Sequence, residues 1–368
     1  MQKTYFKKSV ILMSVLGSAL GATFSSCSKQ DNPQPESTVM ATAPVESSDL
    51  LLATTSPSSS MTGSGLMLGI NGHMGDAPYL ATSPTKQIQI LKDRGMKWYR
   101  LNVQTKSDGT ASSSSLLEAL QAAATTGGVK ILPMLYLRTL DYSKSQAESY
   151  QSGKTLGGNF AAKYGRYFDY YNLGNDLELP LLYSNKSGQS QNDYNRAKFN
   201  VVAAYLKGMD EGIKAKDPGA KTIISAGWLH YAFLRMCDWY GVKFDVVGYN
   251  WYSDMEAPAA KSPYYIPDIT KKLASLFPNK PIWFTEFNYR YKSTSTTTTN
   301  ETDQNAFVTK FIAKCKGNTQ VKVAMLYQLF DEPYKNGNEK NYGIIKWTSQ
   351  YTTWTNKVLS KTFMSASN

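Results

Sequence analysis

Two segments end an apolar run in carboxylates: Tyr171-Asn172-Leu173-Gly174-Asn175-Asp176-Leu177-Glu178 and Pro281-Ile282-Trp283-Phe284-Thr285-Glu286-Phe287. Each reads as a buried strand whose C-terminal tip carries acids. A parallel barrel places its chemistry at those tips, where an acidic side chain faces a substrate while neighbouring strands hold it. Two such tips suit a pair of acids, one to attack or stabilise and one to move a proton. Glu286 stands out, because its bulky neighbours force burial and would desolvate an unpaired carboxylate. The plain alternative is a glutamate turned to solvent at a strand end.

The elements that must position these acids follow from an alternation that starts after Gly65: short apolar strand, polar loop, amphipathic helix, strand again. Eight strands are expected, over 66–71, 98–103, 129–137, 169–175, 222–227, 244–251, 282–287 and 323–330. Helical patterns fall at 84–94, 115–124, 192–216, 230–240, 267–277, 302–316 and 349–363. Pro84 and Pro267 suit first turns, and Gly95, Gly127 and Gly241 suit helix ends. Three loops, 138–156, the Ser/Thr run 292–300, and 333–342, are expected to overhang the mouth. Nearly continuous apolar strands alternating with helices imply a covered parallel sheet. Eight units with no glycine-rich phosphate loop after the first strand favour a closed (β/α)8 TIM barrel over an open doubly wound sheet.

On these residues the chain resembles glycoside hydrolase clan A, the retaining β-glycosidases built on this barrel, over essentially all of 65–363. The resemblance implies hydrolysis of β-glycosidic bonds in an oligo- or polysaccharide. It maps the nucleophile onto Glu286 in Trp283-Phe284-Thr285-Glu286-Phe287-Asn288, and the asparagine that precedes the acid/base onto Asn175. The acid/base position itself holds Asp176, one methylene shorter than the family's glutamate. Retaining hydrolysis wants carboxyls about 5–5.5 Å apart, whereas inversion leaves about 6.5–9.5 Å for a water. Three readings stand open: Asp176 serves in an adapted site, Glu178 takes the role from the same strand face, or hydrolysis is lost and a glycan-binding protein remains.

The resemblance further maps Arg100 in Trp98-Tyr99-Arg100-Leu101-Asn102 onto the strand-2 arginine that keeps the nucleophile ionised, and Tyr252 onto the strand-6 aromatic that hydrogen-bonds it. Asn175 would then meet the sugar 2-hydroxyl. On the last strand Tyr327 or Gln328 would face the ligand, with Asp331 and Glu332 organising the next loop. Sugars offer apolar C–H faces as well as hydroxyl rims, so Trp228, Trp251, Tyr252, Trp283 and Tyr289 near strand tips are candidate platforms. His73 and His230 are the two histidines of the chain. His73 follows strand 1 and reads as a sugar contact. No ligand spacing supports a metal, and no cofactor is implied. Gly-x-Ser-x-Gly elbows, phosphate loops and paired CxxC motifs are absent from the sequence.

Residues 1–27 read as an export signal: Lys3, Lys7 and Lys8, then a small apolar stretch 9–24, then Cys27 in Phe24-Ser25-Ser26-Cys27-Ser28. The order resembles a bacterial lipoprotein signal with Cys27 as the lipidated residue. A membrane-tethered monomer on the periplasmic face or surface of a Gram-negative bacterium is the expectation. Residues 28–64, rich in Ser, Thr, Pro and Ala, read as a tether ahead of the 65–368 domain. Cys237 and Cys315 fall in different helices and read as buried free thiols. The formal net charge is +12, but no Lys/Arg run exceeds two residues, so a solvated surface explains it and nucleic acid is not expected.

Overall fold

The computed structural model describes residues 65–136 and 140–367. The signal, Cys27 and the tether lie outside the described residues. Eight parallel strands close into a barrel in sequence order: β1 (Met67–Gly72), β2 (Trp98–Gln104), β3 (Lys130–Tyr136), β4 (Tyr170–Asn172), β5 (Lys221–Gly227), β6 (Val246–Tyr252), β7 (Ile282–Asn288) and β8 (Val321–Leu326). The expected (β/α)8 barrel is therefore the observed fold. Helices α1 (Ala77–Leu80), α2 (Pro84–Lys92), α3 (Ser114–Gly127), α4 (Gln146–Tyr164), α5 (Arg196–Lys216), α6 (Tyr231–Tyr240), α7 (Ser253–Ala260), α8 (Ile269–Leu276), α9 (Thr297–Lys316) and α10 (Val358–Ser367) accompany the strands. A short ribbon pairs β9 (Ile345–Trp347) with β10 (Trp354–Asn356).

The barrel interior changes character along its axis. Its floor is apolar: Trp98, Leu132, Ile223, Val246, Trp283, Val323 and Met325 form one buried cluster. Two residues further along the same strands, on the same face, stand Arg100, Ser225 and Thr285, all buried. A polar layer thus sits above an apolar plug. Trp283 belongs to that plug, packed on Trp98 at 4.8 Å between ring centroids, so it is no sugar platform.

Several boundaries differ from the sequence reading. The fourth strand stops at Asn172, because Gly174 and Asp176 take positive φ angles of 78° and 51° that no strand continues. The eighth stops at Leu326 rather than Phe330. The expected loop 138–156 runs into α4, whose glycines dilute its apolar pattern. Those glycines have a packing reason. A Cβ on Gly153 or Gly157 would overlap backbone carbonyls of Tyr205 or Met209 on α5, and one on Gly208 or Gly212 would overlap those of Tyr150 or Lys154 on α4. Tyr150 thus lies at this helix seam, donating its hydroxyl proton to Glu211, and does not overhang the mouth.

The Ser/Thr run 292–300 is partly helical: Thr296 caps α9 by accepting from Thr299 N–H, and buried Asn300 ties back to Lys292 and Ser295. The span 349–363 holds β10 before its helix starts at Val358. Pro267 precedes the α8 cap, Asp268, and the left-handed end of α3 is Gly128 rather than Gly127. Pro84 and Gly241 stand where expected. Cys237 and Cys315 are buried and free.

Candidate active site

Strand tips converge on a cavity of about 490 Å³ at the C-terminal mouth. Its wall includes Asn71, His73, Arg100, Asn175, Asp176, Glu178, Trp228, His230, Asn250, Tyr252, Glu286, Arg290 and Tyr327. Both expected acids are therefore in one pocket.

Glu286 reaches it through a bulge. Tyr249 pairs with Phe284 but Asn250 with Glu286, so Thr285 is an extra residue in β7. Thr285 and Glu286, neighbours that a regular strand would send to opposite faces, both serve the interior. The Thr285 hydroxyl donates to Asn250 Oδ1 (2.8 Å). The Glu286 carboxylate is held from two sides: Arg100 Nη1 stands 2.7 Å from Oε1, and the Tyr252 hydroxyl donates to Oε2 at 2.9 Å. Burial first, then the Glu286 charge, push the Tyr252 phenol well above its ordinary range, so it stays a donor.

Arg100 organises the floor of the cavity. Its Nε donates to Asn172 Oδ1 (2.8 Å), Nη1 also to Asn71 Oδ1 (2.7 Å), and Nη2 to Asn175 Oδ1 (2.6 Å). Asn71 is fixed in turn by donating to the carbonyls of Thr285 and Leu326. A buried guanidinium with four charge-assisted bonds is rigid.

Asp176 occupies a turn rather than a strand, in the left-handed conformation that aspartate tolerates better than most residues. The Asn175 amide donates to its Oδ2 (2.9 Å) and the Asn250 amide to its Oδ1 (3.2 Å). Its carboxyl is pushed up to about 8, by burial first and then by the charges of Glu286 and Glu178, against the pull of Arg100. The two acids thus differ in environment: one clamped by a cation, the other disposed to keep its proton.

Glu178 is not beside Asp176 on a continuing strand. It turns inward, fully buried, with Oε1 accepting from Gly227 N–H (3.0 Å) and lying 3.1 Å from His230 Nδ1. Trp228 and Tyr327 line the cavity as expected. Trp251 does not: it is buried beneath Trp228, stacked at 6.3 Å, with its indole N–H donating to Glu256. Gln328 is fully buried and lies outside the cavity wall, since the turn beyond β8 sends Tyr327 inward instead. Tyr289 likewise points away, its hydroxyl donating to Asp303.

His73 lines the wall with Nδ1 2.5 Å from Glu332 Oε1. His73, Asp76 and Glu332 could bracket an ion, but Lys335 Nζ, 3.3 Å from Glu332 and 3.7 Å from Asp76, already supplies positive charge there. Asp331 pairs with buried Lys357 at 2.7 Å, which anchors the loop as expected. Asn71, Asn172, Asn250 and Arg290 were missed as site residues. Asn250 was within reach, because it shares a strand face with Tyr252.

Residues 139–368 match the sequence profile of glycosyl hydrolase family 53. The chain belongs to glycosyl hydrolase family 53. It is a clan A glycoside hydrolase, and the family match spans the β4 turn, β7 and the whole second half of the barrel. No curated protein matches it. Among solved structures, this family 53 barrel is similar to β-glycosidase BGL167, at 14% identity and TM-score 0.59, covering 82% of this chain and 96% of that one. It is also similar to the family 1 β-glucosidase from Thermotoga maritima, at 11% identity and TM-score 0.58, covering 83% and 97%. The complex of the Thermotoga maritima β-glucosidase with glucoimidazole gives 12% identity, TM-score 0.61, and 82% and 97% coverage. At these identities the likeness is one of fold.

Proposed function

We propose that this glycoside hydrolase cleaves β-glycosidic bonds of an oligo- or polysaccharide by a retaining double displacement, with Glu286 as nucleophile and Asp176 as acid/base. The observation that carries the reading is the contrast between two carboxyls in one cavity, Glu286 clamped by Arg100 and Tyr252, and Asp176 pushed up to about 8.

In the first step a Glu286 oxygen attacks the anomeric carbon, the glycosidic C–O bond breaks, and the Asp176 proton goes to the leaving oxygen. A glycosyl ester on Glu286 remains. Asp176, now ionised, takes a proton from water, whose oxygen attacks the same carbon and expels Glu286. Asn175, fixed by Arg100, is the group for the sugar 2-hydroxyl, and Trp228, backed by Trp251, is the flat apolar surface for a ring face. The shorter aspartate works from a turn, so its reach is set by the Gly174–Asp176 backbone rather than by strand register.

Proton NMR of the product formed within the first minutes tests this: retention of the β configuration supports it, and an α product first overturns it. We further propose that the enzyme is exported and tethered through a lipid on Cys27. Detergent-phase partitioning that is lost in Cys27→Ala supports the anchor, and equal partitioning of both forms contradicts it.

A further inference from the structure

The β4 turn carries a second carboxyl that the double displacement does not use. Glu178 is 0% exposed, yet it belongs to the cavity wall two residues from Asp176. One oxygen is gripped by Gly227 N–H at the end of β5 and by His230 just before α6. The other, Oε2, is buried with no hydrogen-bond partner among the described residues. An under-satisfied buried carboxylate is costly, so a built clamp of this kind calls for a function.

The ionisable groups around it can be named from every side. Tyr194 ahead of α5, Cys237 on α6 and Tyr249 on β6 each hold their protons more tightly, through burial first and the nearby Glu178 charge as a lesser cause. His230 pairs with it. Beyond its burial, Asp176 feels the charges of Glu286, Glu178 and Arg100, in that order.

We propose that Glu178, clamped by Gly227 and His230, is a positioning residue for the acid Asp176: its fixed negative charge keeps the proton on Asp176 until the glycosidic oxygen takes it, and His230 sets how much of that charge Asp176 feels. The inference rests on the reading of Asp176 as general acid. The double displacement makes no bond to Glu178, so Glu178 acts through Asp176.

The test is the pH profile of kcat/KM on a phenyl β-glycoside, whose poor leaving group needs the proton, for the wild type, Glu178→Gln, His230→Gln and Asp176→Asn. Losing the Glu178 charge favours ionised Asp176, so in Glu178→Gln the basic limb moves down by about one pH unit. Losing the imidazole leaves Glu178 less compensated, so in His230→Gln the limb moves up. Structural damage alone would lower the whole profile without such opposite shifts. Limbs that stay put, or that both move down, overturn the proposal. Should Glu178→Gln not fold, an unmoved or lowered limb in His230→Gln overturns it alone. Asp176→Asn separates the two readings. If its basic limb persists, Asp176 is not the acid; if the limb vanishes there but stays fixed in the other two variants, only the role of Glu178 fails.

Discussion

Arg100 and Glu286 meet at 2.7 Å, and the same guanidinium holds Asn175, whose amide in turn donates to Asp176. One buried cation therefore sets the position of both carboxyls. Truncating one partner of such a pair leaves the other charge buried and alone, at a cost of about 3–5 kcal/mol. Arg100→Met should accordingly lose stability as well as activity, read as a lowered Tm together with lost turnover.

Glu286→Gln removes the attacking oxygen's charge while keeping its shape. Turnover should vanish for every leaving group, including 2,4-dinitrophenyl. Retained hydrolysis of the activated substrate would exclude Glu286 as nucleophile.

Asp176→Asn should behave differently, because the acid matters only where the leaving oxygen needs a proton. A phenyl β-glycoside should lose about 10²–10⁴-fold in kcat/KM. The dinitrophenyl counterpart should lose far less in that parameter, which reports glycosylation. Equal losses on both substrates would contradict the assignment.

The same carboxyl makes stability depend on pH. Folded Asp176 holds its proton up to about 8, against an ordinary 3.8, so between these values the folded chain binds a proton that the unfolded chain has lost. Stability must then fall as pH rises through that window. Asp176→Asn removes the effect. Its Tm should exceed that of the wild type at pH 8 and match it near pH 4, with each 1 kcal/mol worth about 2–4 °C. A variant no more stable at pH 8 would show that burial does not strain this acid.

At the α4–α5 seam, Gly208→Ala places a methyl against the Tyr150 carbonyl, a backbone atom that cannot swing away. Helix separation should cost about 1–3 kcal/mol or more. Gly128→Ala, with nothing near its Cβ but a φ of +68°, should cost less. Denaturant midpoints of the two variants rank them.

The nucleophile side of the site was legible because Arg100, Tyr252 and Glu286 stand within strongly apolar strands, where burial leaves few roles for a polar group. The acid side was harder. Whether Glu178 shares a face with Asp176 depends on where β4 stops, and the positive φ at Gly174 and Asp176 that ends it is a backbone property with a weak sequence signal. Trp251 and Gln328 carried the right chemistry for a glycan cleft but face elsewhere: Trp251 sits between Asn250 and Tyr252 and so takes the opposite strand face, and Gln328 lies beyond the end of β8. Helix α4 escaped notice since its glycines serve α5, and a partner helix is invisible to local periodicity.

A double displacement requires that Glu286 become covalently bonded to the sugar. Incubation with a 2-deoxy-2-fluoro β-glycoside bearing a dinitrophenol leaving group, followed by peptide mass spectrometry, examines it directly. One glycosyl adduct is expected, on the peptide containing Trp283-Phe284-Thr285-Glu286-Phe287 and absent from Glu286→Gln. An adduct on Glu178 or Asp176, or turnover with inversion and no adduct, would contradict it.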